Sequence, residues 1–347
     1  MAAALTIFGS GSWGTALAVH LAQTGREVVL WARRPEAADR IQTTRRNPTY
    51  LPDIEIPDAV RITSDVEAAA EAASLWALAV PSQSVRALAE RLRPHWADTT
   101  TGVSLAKGIE NDTLMTMSQV LHDVLDLTDD QVGVLYGPSH AEEVAENRPT
   151  TVVAAARSAG TARRIQDTFM TDRLRVYVNT DVIGVEIGGS AKNVLAIAAG
   201  ISDGVGYGDN AKAALVTRGI AEIRRLGLAM GARAPTFAGL TGIGDLVVTC
   251  MSQHSRNRHL GEQIGRGRTL SDVLDTMDMV AEGVRTTQSI HDLAQRHGVE
   301  MPITEAVYAV LFDGERPHAM METLMTRQAK HEHGPSDALE DASLTAS

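Results

Sequence analysis

The stretch "LTIFGSGSWGTALA" (5–18) decides the fold of this chain. An apolar run with a strand pattern comes first, followed by Gly9, Gly11 and Gly14 in G-x-G-x-x-G spacing and then by a helix pattern. A second strand pattern, "EVVLWAR" (27–33), completes the first part of a βαβ unit. In such a unit the glycines permit a tight turn, let backbone amides approach a pyrophosphate and let the helix pack on the strand. The order predicts a dinucleotide site at the helix start, where the helix dipole favours an anion.

The rest of the first half alternates short apolar runs with helix patterns, which is typical of a doubly wound parallel sheet. The stretch "RRNPTYLPDIEIPD" (45–58) carries three prolines and is predicted to be a loop. After about residue 182 the strand patterns cease. We therefore predict an α/β Rossmann-type doubly wound parallel sheet followed by an all-α C-terminal domain. The predicted strands are 5–9, 27–33, 74–80, 100–106, 131–136, 150–155 and 173–178.

The predicted organisation has three parts. Residues 1–181 form an NAD(P)-binding Rossmann domain, residues 182–330 an all-α substrate and catalytic domain, and residues 331–347 a polar, disordered tail. The tail contains "HEH" (331–333), but this spacing is not that of two histidines on one helix face, and no metal site is predicted.

Composition excludes several classes of function. The chain has 347 residues, of which 44% are hydrophobic and 22% charged, as in an ordinary globular protein. A formal net charge of −11 argues against a nucleic-acid partner, because phosphate backbones attract basic surfaces. The one cysteine, Cys250, permits no internal disulfide and is expected in the core. We expect a cytoplasmic protein in which no stretch reaches the length and apolarity of a membrane span.

A lysine interrupts the apolar, small-residue helix pattern "VEIGGSAKNVLAIAAG" (185–200). An unpaired ammonium is costly to bury, so Lys192 needs an explanation. The side chain could reach the surface, form a structural ion pair, lie on an unburied segment or act in catalysis. Gly188 and Gly189, one turn earlier, are expected to leave room for a ligand on this helix face.

The second strand pattern ends with Arg33, and Arg34 follows it, where an NAD-preferring fold commonly has an acidic residue. Two cations at that place would attract the 2′-phosphate of NADPH, which NADH lacks, and would therefore favour NADPH over NADH. The alternative is a pair of solvated arginines at a strand end. Tyr50, in the following loop, is a candidate to stack on the adenine.

Further candidates follow later strands, at the edge where doubly wound sheets bind ligands. Lys107 comes after one strand, and Gly137 and Ser139 come after another. Each alone is an ordinary strand-to-helix turn. In the helical half, Ser255 is a good N-cap residue for a helix that begins at Arg256. A guanidinium and a helix N-terminus would meet one phosphate there, unless this is only a capped helix with solvated arginines.

The chain resembles a known family through a series of motifs that runs in order from about residue 5 to 330. It is similar to the bacterial NAD(P)-dependent glycerol-3-phosphate dehydrogenases. The resemblance implies reduction of dihydroxyacetone phosphate to sn-glycerol 3-phosphate for phospholipid synthesis, with NADPH or NADH, by a homodimer. The motifs are "GSGSWGTALA", "SLAKGIE", "GPSHAEEV", "IGGSAKNVLAIAAGISDGVGYGDNAKAALVTRGIAEI", "GLTGIGDLVVTC", "SRNRHLG", "VAEGVRTT" and "EMPITEAVY".

The resemblance also implies roles for individual residues, with Lys192 as proton donor and acceptor. The chemistry of the residue types agrees with this role: the like charge of Lys107 would lower the pKa of Lys192, the counter-charge of Asp245 would orient Lys192, and Asn193 would donate to a substrate hydroxyl. The implied substrate-site residues are Lys107, Gly137, Ser139, Lys192, Asp245, Ser255, Arg256 and Asn257. The implied cofactor-site residues are Gly9, Gly11, Ser12, Trp13, Gly14, Arg33, Arg34, Tyr50, Lys107, Ala141, Arg256, Val280 and Glu282.

Two other functions remain open from the sequence. One is a related two-domain dehydrogenase that acts on a hydroxyacyl thioester, ketopantoate or a sugar-acid phosphate. The hydroxyacyl class would be expected to carry a His–Glu pair on the helix that here carries Lys192 and Asn193. The other is a redox sensor that binds NAD(P)H without turnover, against which the complete set of candidate catalytic residues argues.

Overall fold

The computed structural model describes residues 5–277 and 281–328. The strands in these ranges are β1 (Leu5–Phe8), β2 (Val28–Trp31), β3 (Arg46–Asn47), β4 (Leu51–Glu55), β5 (Val60–Thr63), β6 (Leu75–Leu78), β7 (Thr101–Ser104), β8 (Val132–Tyr136), β9 (Thr150–Ala155) and β10 (Leu174–Asn179). The helices are α1 (Ser12–Ala22), α2 (Pro35–Thr44), α3 (Val66–Glu71), α4 (Val85–Leu92), α5 (Met117–Leu125), α6 (Ala141–Ala145), α7 (Ala159–Phe169), α8 (Val182–Val205), α9 (Asp209–Ala229), α10 (Ala234–Phe237), α11 (Asp245–Met251), α12 (Arg256–Gly265), α13 (Leu270–Leu274), α14 (Glu282–His297), α15 (Pro302–Phe312) and α16 (Pro317–Met325).

Eight strands form one sheet in the order β10-β9-β8-β7-β6-β1-β2-β5. All neighbours in it pair parallel except β8 and β9, which pair antiparallel. The central strands are buried along their whole length because helices cover both faces, and this explains their continuous apolar runs. The predicted Rossmann-type fold is confirmed, and all seven predicted strands occur.

The glycine motif lies where the strand order of the sheet reverses, between β1 and β6. The Ala79 amide, just after β6, donates to the Phe8 carbonyl at 2.8 Å, which brings the ends of the two strands together. Gly9 has φ +126°, and a Cβ there would collide with the Ala79 carbonyl. Only glycine therefore fits this turn. The turn directs the chain into α1 at the edge where doubly wound folds bind ligands.

The prediction that residues 45–58 form a loop is wrong. Strands β3 and β4 pair there as an antiparallel hairpin, and β5 adds an edge strand to the main sheet. Pro52 lies inside β4 and has no amide hydrogen to donate, and only a strand at the edge of a sheet tolerates this. The proline therefore makes the strand pattern hard to recognise in the sequence. Strand β5 (VRIT) alternates apolar and polar residues, but over only four positions, which is too short a run to predict a strand with ease.

From Val182 to the end of the described chain, every regular element is a helix. Helix α8 lies at the centre of this part, and α9, α11, α12 and α14 pack around it. Cys250 is fully buried in the same core, as predicted. The predicted tail, residues 331–347, lies outside the described residues.

Within residues 5–277 and 281–328, two segments are long and apolar enough to cross a membrane by length and composition alone, Val182–Val205 and Ala234–Met251. The expectation that no stretch reaches the length and apolarity of a membrane span is therefore wrong. In the first segment, 94% of the most apolar window is buried inside the protein, because the surrounding helices enclose α8. In the second, 44% is buried.

Candidate active site

Lys192 lies in the middle of α8, and its side chain is only 7% exposed. Its Nζ donates to Asp245 Oδ1 at 2.5 Å and to Thr249 Oγ1 at 2.7 Å. Asp245 and Thr249 are one turn apart on α11, so both face α8. This geometry excludes a side chain that reaches the surface and a segment that is not buried. A structural ion pair and a catalytic lysine remain.

Asp245 holds a second lysine, which comes from the first half of the chain. Lys107 Nζ donates to Asp245 Oδ2 at 2.9 Å and to the Gly137 carbonyl at 2.7 Å, and lies 3.4 Å from Ser139 Oγ. The Lys107 side chain is 16% exposed and that of Asp245 is 1% exposed. The structure thus brings together the predicted residues Lys107, Gly137, Ser139, Lys192 and Asp245, in a centre formed by both halves of the chain.

Burial and neighbouring charges shift the acid–base properties of this centre. Burial lowers the pKa of Lys192, and the like charge of Lys107 lowers it further, while Asp245 raises it; the resulting pKa is about 8. Burial raises the pKa of Asp245, but the two lysines outweigh burial and hold that pKa below its usual value. A simple structural ion pair does not need its lysine poised near neutral pH, whereas a proton donor does.

Asn193 follows Lys192 on α8 and is buried. Its Nδ2 donates to the Lys107 carbonyl at 3.1 Å. The amide therefore holds the loop that carries Lys107 against α8. Its predicted contact with a substrate hydroxyl stays a prediction.

The expectation that Gly188 and Gly189 leave room for a ligand is wrong. A Cβ at Gly188 would collide with the Thr241 carbonyl, and one at Gly189 would lie 2.6 Å from the Tyr136 ring. Tyr136 ends β8, the strand that precedes Gly137. The two glycines therefore let α8 pack directly on the sheet and on the backbone before α11.

The glycine loop fits a dinucleotide. Among the residues that the structure describes, none has a heavy atom within 4 Å of a Cβ built on Gly11, so the space beside it is open. A Cβ on Gly14 would collide with the Gly9 carbonyl, so the loop folds tightly onto α1. Ser12 and Trp13 form the first turn of α1, where backbone amides suit a pyrophosphate. These features are those that bind the cofactor in Rossmann folds.

Ala141, the first residue of α6, packs in one apolar cluster with Trp13. Arg33 and Arg34 are exposed after β2, and Arg34 lies 3.7 Å from the Glu36 carboxylate. Tyr50 is half-buried in the connection of the β3–β4 hairpin.

Asn47, in β3, ties this hairpin to the glycine loop, and the sequence analysis missed it. Its Nδ2 donates to the Ser10 carbonyl at 2.8 Å and to Thr15 Oγ1 at 2.9 Å. The asparagine lies in the stretch taken for a loop, so no pattern singled it out.

Ser255 is the N-cap of α12, as predicted, and its Oγ accepts from the Arg258 amide at 3.2 Å. Arg256 is exposed in the first turn. Asn257 is buried, and its Oδ1 accepts from the Gly283 amide at 2.9 Å. Asn257 thus connects the start of α12 to the start of α14, where Glu282 lies.

Glu282 connects the two halves of the chain. Its carboxylate accepts from the Ser82 amide at 3.1 Å and from Ser82 Oγ at 2.6 Å. Burial raises the pKa of Glu282, although the Ser82 bonds and the charge of Arg256 oppose this. Val280, the other predicted cofactor residue nearby, lies outside the described residues.

Besides Asn47, three contributors to the site were not predicted from the sequence: Thr249, Ser82 and His140. Thr249 follows Asp245 by one helical turn, a spacing that could have identified it. Ser82 stands 200 positions from Glu282, and no local pattern connects them. The His140 ring lies 5.7 Å from that of His254, and burial together with Lys192 and Lys107 lowers the pKa of His140 to about 4.

Comparison with known proteins places both halves of the chain in one family. Residues 4–162 match the model of the NAD-dependent glycerol-3-phosphate dehydrogenase N-terminus, and residues 181–322 match that of the C-terminus.

Individual relatives match over almost their whole length. The glycerol-3-phosphate dehydrogenase [NAD(P)+] 2 of Salinibacter ruber is 69% identical over 99% of this chain and 100% of the relative. The glycerol-3-phosphate dehydrogenase [NAD(P)+] of Chlorobium phaeobacteroides is 54% identical over 95% of this chain and 99% of the relative. The crystal structure of glycerol-3-phosphate dehydrogenase from Coxiella burnetii superimposes with a TM-score of 0.90 at 36% identity and covers 94% of this chain and 99% of its own.

The glycine loop, the centre formed by Lys107, Lys192 and Asp245, and matches that cover both halves of the chain lead to one conclusion: the chain belongs to the NAD(P)-dependent glycerol-3-phosphate dehydrogenase family.

Proposed function

We propose that this chain reduces dihydroxyacetone phosphate to sn-glycerol 3-phosphate and that Lys192 supplies the proton. The observation that carries this proposal is the Asp245 carboxylate, which bonds both Lys192 at 2.5 Å and Lys107 at 2.9 Å in a buried centre. The glycine loop would hold a reduced nicotinamide cofactor, which would supply the hydride for the substrate carbonyl carbon.

When the carbonyl carbon gains a hydride, its oxygen becomes an alkoxide that needs a proton. The Lys192 ammonium, with a pKa of about 8, is protonated at neutral pH and can give up a proton without a large energetic cost. Lys107, held at the same carboxylate, stabilises the negative charge that develops on the oxygen. Asp245 keeps both ammonium groups in place, and Thr249 accepts from Lys192 so that its protons have defined directions.

The substrate phosphate is assigned to the start of α12. Ser255 caps this helix, and Arg256 in its first turn adds a guanidinium to the helix dipole. Asn257 uses its oxygen for the Gly283 amide, so its Nδ2 is the atom that suits an anion. Because Asn257 also bonds Gly283, a phosphate bound there would be connected to the start of α14, beside Glu282.

The cofactor assignment rests on the glycine loop, where Trp13 packs in one cluster with Ala141. We add Glu282, which bonds Ser82 in the segment that follows β6. We assign the preference for NADPH to Arg33 and Arg34, which are exposed beyond β2. The Glu36 carboxylate, 3.7 Å from Arg34 Nε, competes for the arginine and makes this preference modest.

A spectrophotometric assay tests the proposed reaction. NADPH oxidation should require dihydroxyacetone phosphate and should be far slower with unphosphorylated dihydroxyacetone or with ketopantoate. Turnover with ketopantoate alone would indicate a related two-domain dehydrogenase. Cofactor binding without turnover on any of these ketones would indicate a sensor of the nicotinamide pool.

Further assignments accompany the proposed reaction. We propose that the enzyme is a cytoplasmic homodimer. We also propose that its product is used in glycerophospholipid synthesis. We assign residues 1–181 to a cofactor domain and residues 182–330 to a catalytic domain, and the apolar segment Val182–Val205 to the core of the catalytic domain. Size-exclusion chromatography with light scattering tests the dimer.

A further inference from the structure

A second charged cluster lies outside the centre described above and takes no part in the proposed chemistry. We call Asp203, Lys212 and Arg258 the Asp203 cluster. Asp203 Oδ2 accepts from Arg258 Nε at 2.8 Å and from Nη2 at 2.6 Å, while Oδ1 binds Lys212 Nζ. The three side chains are 18%, 13% and 17% exposed respectively. Because they are largely withdrawn from water, these contacts are stronger than ordinary surface ion pairs.

The position of the cluster along the chain gives it a specific connection. Asp203 lies on α8, eleven residues after Lys192. At 1.5 Å per residue this is about 16 Å along the helix, too far for contact with the reacting atoms. Arg258 lies in the first turn of α12, two residues after Arg256. The cluster therefore connects the helix that carries the proton donor to the turn that is assigned to the phosphate.

The packing of α8 on α12 explains why such a connection is needed. The two helices meet through glycines: a Cβ on Gly200 would collide with the Arg258 carbonyl, and one on Gly261 with the Ile197 carbonyl. Van der Waals contact between bare backbones brings the helices close but is not directional. A guanidinium that donates two bonds to one carboxylate is directional and fixes the position of α12 along α8.

We propose that Asp203 is a positioning residue for the phosphate half of the substrate site. Through Arg258 it sets the place of Arg256 and Asn257 relative to Lys192. The inference rests on the proposed function, since it assumes that the substrate phosphate binds at the start of α12. Without the Asp203 charge, Arg258 and Lys212 would repel each other, and the start of α12 would lose its defined place.

The test compares Asp203→Asn with Arg258→Lys, which keeps the positive charge but loses the forked geometry. Both variants should raise KM for dihydroxyacetone phosphate at least tenfold and reduce the discrimination against unphosphorylated dihydroxyacetone by a similar factor. KM for NADPH should stay within about twofold. Arg327→Gln is the control, because it removes the Arg327–Glu300 ion pair, which shares no residue with the Asp203 cluster or with α12, and it should change neither quantity.

A merely structural role gives a different result. It would lower Tm and the amount of folded enzyme, and hence the apparent kcat, but would leave KM and the discrimination of the folded enzyme unchanged. That result in both variants overturns the proposal. If Asp203→Asn does not fold, Arg258→Lys decides by the same criteria.

Calorimetric binding of sn-glycerol 3-phosphate separates this inference from the proposed reaction. A parent that binds this compound without turning over dihydroxyacetone phosphate contradicts the proposed reaction. Weaker binding by the two variants would then still support the role of Asp203, and unchanged binding would overturn it. If the parent does not bind the compound, both proposals are wrong.

Discussion

Two of the groups of cations that are assigned to ligands, the lysines of the centre and the arginines at the cofactor end, differ strongly in burial. Lys192 and Lys107, at the centre, have side chains 7% and 16% exposed and share one buried carboxylate. Arg33 and Arg34, at the cofactor end, are exposed, and the Arg34 side chain is 58% exposed. The same charge therefore lies in surroundings of very different polarity.

The difference determines what each group can do. A buried ammonium loses hydration, so its pKa moves and its charge acts strongly on the few groups near it. An exposed guanidinium keeps its hydration and is screened by salt, so it adds a modest attraction. We therefore expect large effects on turnover at the buried centre and small effects on cofactor choice at the exposed end.

Lys192→Met should produce the largest effect. Removal of the proton donor should lower kcat by about 10²–10⁴, while NADPH affinity changes little. Lys192→Arg serves as the control for charge, because it keeps the cation but holds its proton too tightly to donate it, and it should also be slow. Turnover by the methionine variant within threefold of the parent would leave Lys192 with a structural role only.

Arg256→Ala should weaken use of the phosphorylated substrate by about ten- to a hundredfold, the range for a lost hydrogen bond to a charged group. The discrimination between dihydroxyacetone phosphate and dihydroxyacetone should shrink by the same factor. NADPH affinity is measured in the same variant, since the charge of Arg256 also acts on Glu282. Unchanged discrimination would move the phosphate to another place, near Lys107 and Ser139.

The rate should depend on pH through Lys192, whose pKa is about 8 in the protein. Reduction needs the protonated lysine, so kcat/KM for dihydroxyacetone phosphate should fall as pH rises through about 8. The limiting slope is roughly tenfold per pH unit. Oxidation of sn-glycerol 3-phosphate needs the neutral lysine and should rise over the same interval. Parallel pH profiles in the two directions would show that another group sets the dependence.

Arg33→Ser combined with Arg34→Ser should have the smallest effect. The double variant should lose about tenfold or less in NADPH affinity, because each exposed contact contributes little. NADH affinity should stay the same, since NADH has no 2′-phosphate. Arg40→Ser, at an exposed arginine further along α2, is the matched control. Equal losses for both cofactors would show that the two arginines do not recognise the phosphate.

Local patterns predicted some parts of the structure well. Gly9, Gly11 and Gly14 predicted the turn between β1 and α1, because backbone sterics at a tight turn depend on a few adjacent residues. Ser255 predicted the N-cap of α12 for the same reason, since a cap bond spans only three residues. Local patterns did not predict the β3–β4 hairpin, because Pro52 made the edge strand β4 look like a loop.

Packing over long distances produced the features that no pattern showed. Gly188 and Gly189 looked like space for a ligand, but in the fold they admit Thr241 and Tyr136 instead. Glycine has no Cβ and therefore leaves space on the helix surface. Only the neighbouring elements determine whether a ligand or another part of the chain fills that space.

The Rossmann-type half, the glycine loop and the candidate residues of the centre could be predicted from the sequence, since spacing, strand patterns and family motifs all lie along the chain. Tertiary structure decided how the centre is assembled. Lys107 and Asp245 stand 138 positions apart, and Lys192 and Asp245 stand 53 apart. The physical reason is that one buried carboxylate can hold two ammonium groups only after both halves of the chain have excluded water around it. The lowered pKa of Lys192 is a consequence of that exclusion, so it belongs to the fold and not to the lysine.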